Sequence, residues 1–186
     1  KAGPFGSALK KQDYVPEGYK IYGQEQVISG DPYFGDYFVA EEKYASLANC
    51  AIKPGDILIS LVGTVGKVLV LPDNSAPGII NPRLIKITPS RFLEARFFKL
   101  YFESAFLKSL YKLETHGATM DVLNLGIIEA LPFPLCSLPE QQEIVRLLDE
   151  QFEVIEQNER EIDAALKRSD ALRPSLLKKA FTGQLV

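Results

Sequence analysis

One histidine, two cysteines and one methionine are the only soft or borderline metal ligands in this chain of 186 residues. With His116 alone, neither a histidine-based triad nor a metal cluster has the side chains it needs. Cys50 and Cys136 lie far apart and match no zinc spacing. Two such thiols do not make a disulfide framework, so a reducing, cytoplasmic setting is expected. Long hydrophobic runs are also missing. Charges interrupt the apolar stretches, which predicts no transmembrane span and no membrane partner. No leader pattern is expected, and a first residue Lys1 in place of methionine is read as the edge of something longer.

Positive charge is not in excess either. The chain carries 21 Lys and Arg against 24 Asp and Glu, a net charge of −3. Residues 1–138 hold 14 of each sign, and residues 139–186 hold 7 basic against 10 acidic. Proteins that bind DNA usually show a basic face. Any DNA contact here must come from local clusters, or from a partner that supplies most of the positive field.

Catalytic motifs fail in their details. Gly63-Thr64-Val65-Gly66-Lys67-Val68 has two residues between its glycines and a valine after the lysine. A phosphate loop needs four residues there and a Ser or Thr. Asp31-Pro32-Tyr33-Phe34 lacks the second proline of the DPPY-type motif of N6-adenine methyltransferases, and no glycine-rich cofactor loop precedes it. The carboxylates are scattered. These features predict a binding protein rather than an enzyme, with no catalytic and no metal residues of its own.

What is present is organised in two parts. At 46% apolar and 24% charged, the chain can bury a real core. Up to Pro89 the pattern is mostly β, punctuated by turns such as Pro16-Glu17-Gly18, Lys53-Pro54-Gly55-Asp56 and Asn81-Pro82. Ile57 to Val62 reads as a buried strand and Val65 to Leu71 as another, joined by a tight hairpin at Gly63-Thr64. Leu84 to Ile87 is a third strand, and Asp56 is read as a turn residue. Tyr33, Phe34, Tyr37 and Phe38 are read as core. Residues 91–113 contain no Gly or Pro and predict one core helix, with Ser90 as its cap and Phe98, Phe102, Ala105, Phe106 and Ser109 at helical spacing. Leu125 to Leu131 is a short helical turn. Pro132-Phe133-Pro134-Leu135 reads as an extended edge segment.

From Pro139 the pattern is helical to the end. Val145, Leu148, Phe152, Ile155, Ile162, Leu166 and Leu176 follow alternating steps of three and four, with Glu159 and Ser169 as polar members of the same stripe. Pro174 should kink or restart the helix, and Gly183 should stop it. From Pro139 to Arg173 the helix would be about 52 Å long at ~1.5 Å per residue. That is too long to lie wholly on a domain of 138 residues, whose radius of gyration is near ~14 Å. The stripe therefore predicts a second helix, from the same protein or from another chain. A helix capping its own domain is the alternative. The expected fold is α+β: a globular β-rich domain with a packed helix over 1–138, then a long helix over 139–186 that pairs as an antiparallel coiled coil.

The junction between the two parts carries a resemblance. Ile127-Ile128-Glu129-Ala130-Leu131-Pro132-Phe133-Pro134-Leu135 runs into Leu138-Pro139-Glu140-Gln141-Gln142-Glu143-Ile144-Val145. This is similar to the point where a target recognition domain of a type I restriction-modification specificity subunit enters its conserved helix, which the family writes much like IPLPPLEEQQRIV. Ser175 to Leu185 resembles the family's closing SLLKKAFTGKL. The strings GSALKK (6–11), GDILIS (55–60), GTVGKV (63–68) and HGATMDVLN (116–124) are family-like too. Cys136-Ser137 departs from the usual Pro-Pro-like pair. A full specificity subunit has two recognition domains and two conserved helices, so one of each implies an excised half or a natural half-subunit.

The resemblance implies a DNA target recognition domain that reads one half of a split site in double-stranded DNA. Its helix would act as spacer and dimerisation element, in a homodimer or with a second half. Modification (methyltransferase) subunits would dock on the helices and methylate adenine with S-adenosylmethionine bound to them, not to this chain. A restriction subunit would join indirectly. Base reading calls for Arg, Lys, Asn, Gln, Ser, Thr and similar side chains on loops. The candidates are Lys10 and Lys11; Thr64 and Lys67; Asn81 and Arg83; and Thr115, His116 and Thr119 around Gly117. Each is equally a solvated loop residue on sequence alone. The competing reading is a non-DNA oligomerising module, a β-rich head on a coiled-coil stalk.

Overall fold

A computed structural model of the chain describes residues 1–4, 8–114 and 123–184, and the side chains of 112–114 lie outside that description. Thr115, His116 and Thr119 also lie outside the described residues. The chain forms two compact units, Lys1–Gln142 and Glu143–Val186. Its fold class is α+β.

The first unit is built on two small sheets. Strands β1 (Tyr14–Val15), β2 (Tyr19–Tyr22), β3 (Phe38–Val39) and β6 (Gly78–Ile80) form one, in the order β1-β3-β2-β6. β2 runs antiparallel to β3 and parallel to β6, with Ile21 opposite Ile79. Strands β5 (Val68–Val70), β4 (Ile57–Ser60) and β7 (Leu84–Ile87) form the other, all antiparallel. β4 explains why two sheets make one body. Side chains alternate across a strand, and every residue of Ile57–Ser60 is buried. Leu58 enters a core with Ile21, Tyr22, Ile79 and Ile80. Ile57 and Ile59 enter a second core with Phe98, Phe102, Leu107 and Tyr111. Burying each such side chain contributes about 1.5–3 kcal/mol.

Several sequence expectations need correction. Ile57–Ser60 and Val68–Val70 do pair antiparallel, but no two-residue turn at Gly63-Thr64 joins them. Ser60 N–H donates to Lys67 O at 3.0 Å and Gly66 N–H donates to Ser60 O at 3.0 Å. The connection is therefore a six-residue loop, 61–66, stapled at its base. Residue 66 must be glycine: φ is +75°, and a Cβ would lie 2.4 Å from the Tyr111 hydroxyl. The region before Pro89 also holds two short helices that its turn-rich pattern hid, α1 (Gln24–Ser29) and α2 (Glu41–Ser46).

The expected single helix over 91–113 is two helices, α3 (Ala95–Phe102) and α4 (Ala105–Glu114). Ser90 does not cap α3; its hydroxyl accepts from Phe92 N–H, ahead of the helix. Glu94 is the cap, accepting from Phe97 N–H. The break comes at Glu103-Ser104. Glu103 leaves the helix to accept from Val68 N–H of β5 at 2.9 Å, and Ser104 accepts from Leu107 N–H at the start of α4. This turns the buried face to Leu107 and Tyr111 and leaves Phe106 exposed rather than in the core. Phe98 and Phe102 are buried as expected and stack at 5.4 Å. Tyr33, Phe34 and Tyr37, expected in the core, are exposed, and Phe38 is half-buried. Their loop is held by its backbone instead: buried Lys20 donates Nζ to the Tyr33 and Gly35 carbonyls at 2.9 Å each. Asp56, a turn residue as read, is also buried and accepts from Lys53 N–H and the Thr88 hydroxyl.

Past α5 (Leu125–Ala130), Pro132 to Leu135 is not a strand. Phe133 packs edge-on to Tyr101 and Phe97. The last helix, α6 (Leu138–Phe181), has 44 residues, so it is about 66 Å long. Its first turn is pinned by Gln141, which is fully buried. Gln141 donates to Phe92 O and Cys136 O at 2.9 and 2.8 Å and accepts from Glu94 N–H at 2.9 Å. The helix does not restart at Pro174 but runs through it. One proline removes one amide donor, and the strong helix formers around it carry the rest. The end is as expected. Gly183 has φ +70°, Gln184 N–H donates to Lys179 O at 2.9 Å, and Gly183 N–H donates to Ala180 O, which together make a Schellman cap.

In the second unit, Phe152, Ile155, Ile162, Leu166 and Leu176 are exposed, and Val145 and Leu148 are half-buried. Glu159 and Ser169 are exposed on the same helix. Arg146 binds Glu143 and Glu150, one turn away on either side. The Glu143 carboxyl is held below its ordinary range by that guanidinium.

Candidate nucleic-acid interface

A cleft of about 530 Å³ opens on the first unit, lined by Lys11, Tyr14, Gln24, Tyr37, Asn81 and Arg83, among others. It lies where the parallel strands β2 and β6 end. Past Tyr22 the chain turns through Gly23 into α1, and past Ile80 it turns at Asn81-Pro82-Arg83. Asn81 N–H donates to Tyr22 O at 2.8 Å, extending the strand pairing by one residue. Lys11 comes from a short 3-10 turn, Lys11–Asp13, that leads into β1. Tyr37 arrives from the loop before β3.

The polar groups of the cleft differ in how free they are. Asn81 Oδ1 accepts from Arg83 N–H at 2.9 Å, a local turn that sets the backbone under Arg83. Asn81 Nδ2 lies over Gly23, where a Cβ would come within 2.8 Å of it. Asn81 thus shapes the turn that presents Arg83. The Arg83 side chain is exposed and meets only Gln24 Oε1 at 3.4 Å among its described partners. Lys11 is exposed as well. Tyr14 and Tyr37 form an aromatic pair with ring centroids 5.8 Å apart. Burial pushes the Tyr14 phenol above its ordinary range, and the neighbouring Tyr37 adds to the shift. Beside it, the Asp13 carboxyl is held below its ordinary range, first by the Lys10 backbone N–H and also by Lys43 at 3.2 Å.

The structure brings Lys11, Asn81 and Arg83 together and leaves the other described candidates off the cleft wall. Lys10 is exposed, and its backbone N–H is spent on Asp13 at 2.6 Å. Thr64 is exposed on the 61–66 loop, and its carbonyl accepts from the Ser60 hydroxyl. Lys67 is half-buried at the base of that loop, where its N–H donates to Ser60 Oγ at 3.2 Å. Tyr14 and Gln24 were not singled out in the sequence, and Tyr37 was read there as core. The one available signal was Gly23 three residues before Gln26, a helix start whose capping bond the structure contains at 2.8 Å. The group can present two cations, amide edges and aromatic faces to a polyanion whose bases carry hydrogen-bonding edges. No helix among the described residues is long and apolar enough to cross a membrane.

Comparison with known proteins identifies a family. The family model described as the type I restriction modification DNA specificity domain matches residues 6–168. The chain is 27% identical over 135 residues to the type I restriction enzyme EcoBI specificity subunit of Escherichia coli, which covers 72% of this chain and 28% of that one. It is 38% identical over 63 residues to the EcoDI specificity subunit of the same species, covering 34% of this chain and 14% of that one. Among solved structures, a chain described under the assembly and conformational transition of the type I R-M system superposes with a TM-score of 0.65 at 24% identity, covering 99% of this chain and 43% of that one. The HsdS subunit from Thermoanaerobacter tengcongensis gives 0.56 at 23% identity, covering 99% and 42%. These two likenesses concern the fold. The chain spans little more than a quarter of the EcoBI subunit's length and under half of either structural neighbour. With the family model spanning most of its length, this chain belongs to the type I restriction-modification DNA specificity domain family.

Proposed function

We propose that this chain reads one half of a split site in double-stranded DNA and scaffolds the modification subunits of a type I restriction-modification system. The observation that carries the reading is the cleft. Three candidate residues from two distant parts of the sequence, Lys11 and the Asn81-Pro82-Arg83 turn, line one open surface in a chain of a DNA specificity family. Residues 1–138 form the recognition part. Residues 139–186 form the spacer, pairing antiparallel with a second copy or a second half through Val145, Leu148, Phe152, Ile155, Ile162, Leu166 and Leu176. At ~3.4 Å per base pair, a helix of about 66 Å matches about 19 base-pair rises, a scale that separates two readers on one duplex. The chain itself carries out no chemical step. Modification subunits bind S-adenosylmethionine, and a restriction subunit joins through them. Because residues 1–138 carry balanced charge, the modification subunits supply much of the phosphate contact.

The test is binding of a fluorescent duplex by the chain reconstituted with modification subunits. Arg83→Ala and Lys11→Ala should each weaken binding while leaving the thermal midpoint unchanged. Unchanged affinity in both at low salt would remove the cleft from the interface.

A further inference from the structure

Three loops meet at the first turn of α1. Gln26, almost fully buried, accepts from Gly23 N–H at 2.8 Å and donates Nε2 to Phe34 O at 2.6 Å, which ties down the loop bearing Tyr37. Gln24 Nε2 donates to Val62 O in the 61–66 loop, and Gln24 Oε1 accepts from Arg83 Nη1 at 3.4 Å. Gly63 swings that loop past α1 with φ +72°, and the nearest atom to a Cβ built there is Gln24 Nε2, at 3.9 Å. Gln24 is therefore bonded at both ends of its amide. One end faces a carbonyl and the other a guanidinium, so the orientation of the amide is forced. Its length matters as well, because asparagine is one methylene shorter and cannot hold both partners.

On the reading of this cleft as a DNA interface, we propose that Gln24 is a positioning residue for sequence discrimination. Its amide fixes Arg83 relative to the 61–66 loop that carries Thr64. Attraction to phosphate tolerates small displacements of a cation, because it falls off gradually with distance. A hydrogen bond to a base edge requires a narrow range of distance and angle. Cutting the Gln24 bridge removes no cation but frees two reading elements from each other. The loss therefore falls on discrimination between sequences, not on attraction to DNA as such.

The experiment uses the chain reconstituted with modification subunits and two duplexes. One carries the sequence at which that complex methylates adenine, mapped beforehand. The other differs by one base pair in the half read by this chain. Gln24→Met keeps the bulk and removes both hydrogen bonds. It should lower the ratio of the two Kd values by about tenfold or more, a larger change than in the Kd for unrelated duplex, with the thermal midpoint unchanged. Gln24→Glu keeps the acceptor facing Arg83 and loses the donor to Val62 O. It should lower the ratio as well, and it decides the matter if the Met variant does not fold. If Arg83→Ala weakens binding while both Gln24 variants keep the original ratio, the Gln24 proposal is overturned and the cleft stands. If Arg83→Ala has no effect either, the cleft reading itself fails.

Discussion

Arg83 reaches solvent because its backbone is fixed from below. Asn81 turns the chain after β6 and bonds Arg83 N–H, and the side chain then extends into the cleft, where its guanidinium donates to Gln24 Oε1. If Arg83 meets a base edge, Arg83→Ala should cost about 1–3 kcal/mol and relax specificity at one position; if it meets phosphate, the salt slope should fall by about 1. Titrations at several salt concentrations separate these outcomes. Gln141 shows the opposite economy, a polar side chain kept wholly for structure. Gln141→Leu leaves three backbone groups around the start of α6 without partners, so stability should fall by roughly 1–3 kcal/mol, read as a lower thermal midpoint. Arg83 stood out in the sequence as a candidate because it is a basic residue after a turn. Gln24 was not, since its role depends on Val62 and Arg83, which only folding brings beside it. The exposed Tyr33, Phe34 and Tyr37 misled for a related reason: their loop is ordered through backbone carbonyls held by Lys20 and Gln26, a bond pattern that leaves no hydrophobic signature.

At the scale of elements, strong periodicity was readable and short range was not. β7 and α5 lie where the sequence placed them, and so do the core of β4 and the glycine stop of α6. Each combines an apolar run with an end signal. α1 and α2 have six residues each, too few to establish a helical period against flanking turn residues. The split between α3 and α4 depends on Glu103 reaching β5, a tertiary bond that helix propensity does not anticipate. α6 makes the clearest claim of any element. A helix of about 66 Å exposes Phe152, Ile155, Ile162 and Leu166 at heptad spacing, and the proposal is that a second helix covers them. Phe152→Asp combined with Ile155→Asp should abolish self-association or the docking of a second half, with the fold of residues 1–142 retained. Sedimentation measures it, and a monomer both before and after the change would refute pairing for this chain.

At the scale of the whole molecule, the proposal gives recognition and spacing to different parts of the chain. Residues 1–142 form one unit around two cores that share β4, and residues 143–186 form another. Ile59 lines the second core with no exposure. Ile59→Ala should therefore destabilise the first unit by roughly 2–5 kcal/mol, visible as a shifted denaturation midpoint. If two copies of this chain pair through α6, the site they read is a split palindrome; pairing with a different half makes it asymmetric. On the proposed reading, sequence choice resides in this chain and the chemistry in its partners. The most direct test is to map methylated adenine in DNA modified by the reconstituted complex, with and without this chain. The account predicts methylation confined to one defined split sequence, lost when the chain is omitted and relaxed by Arg83→Ala. Methylation at the same positions whether or not the chain is present would contradict it.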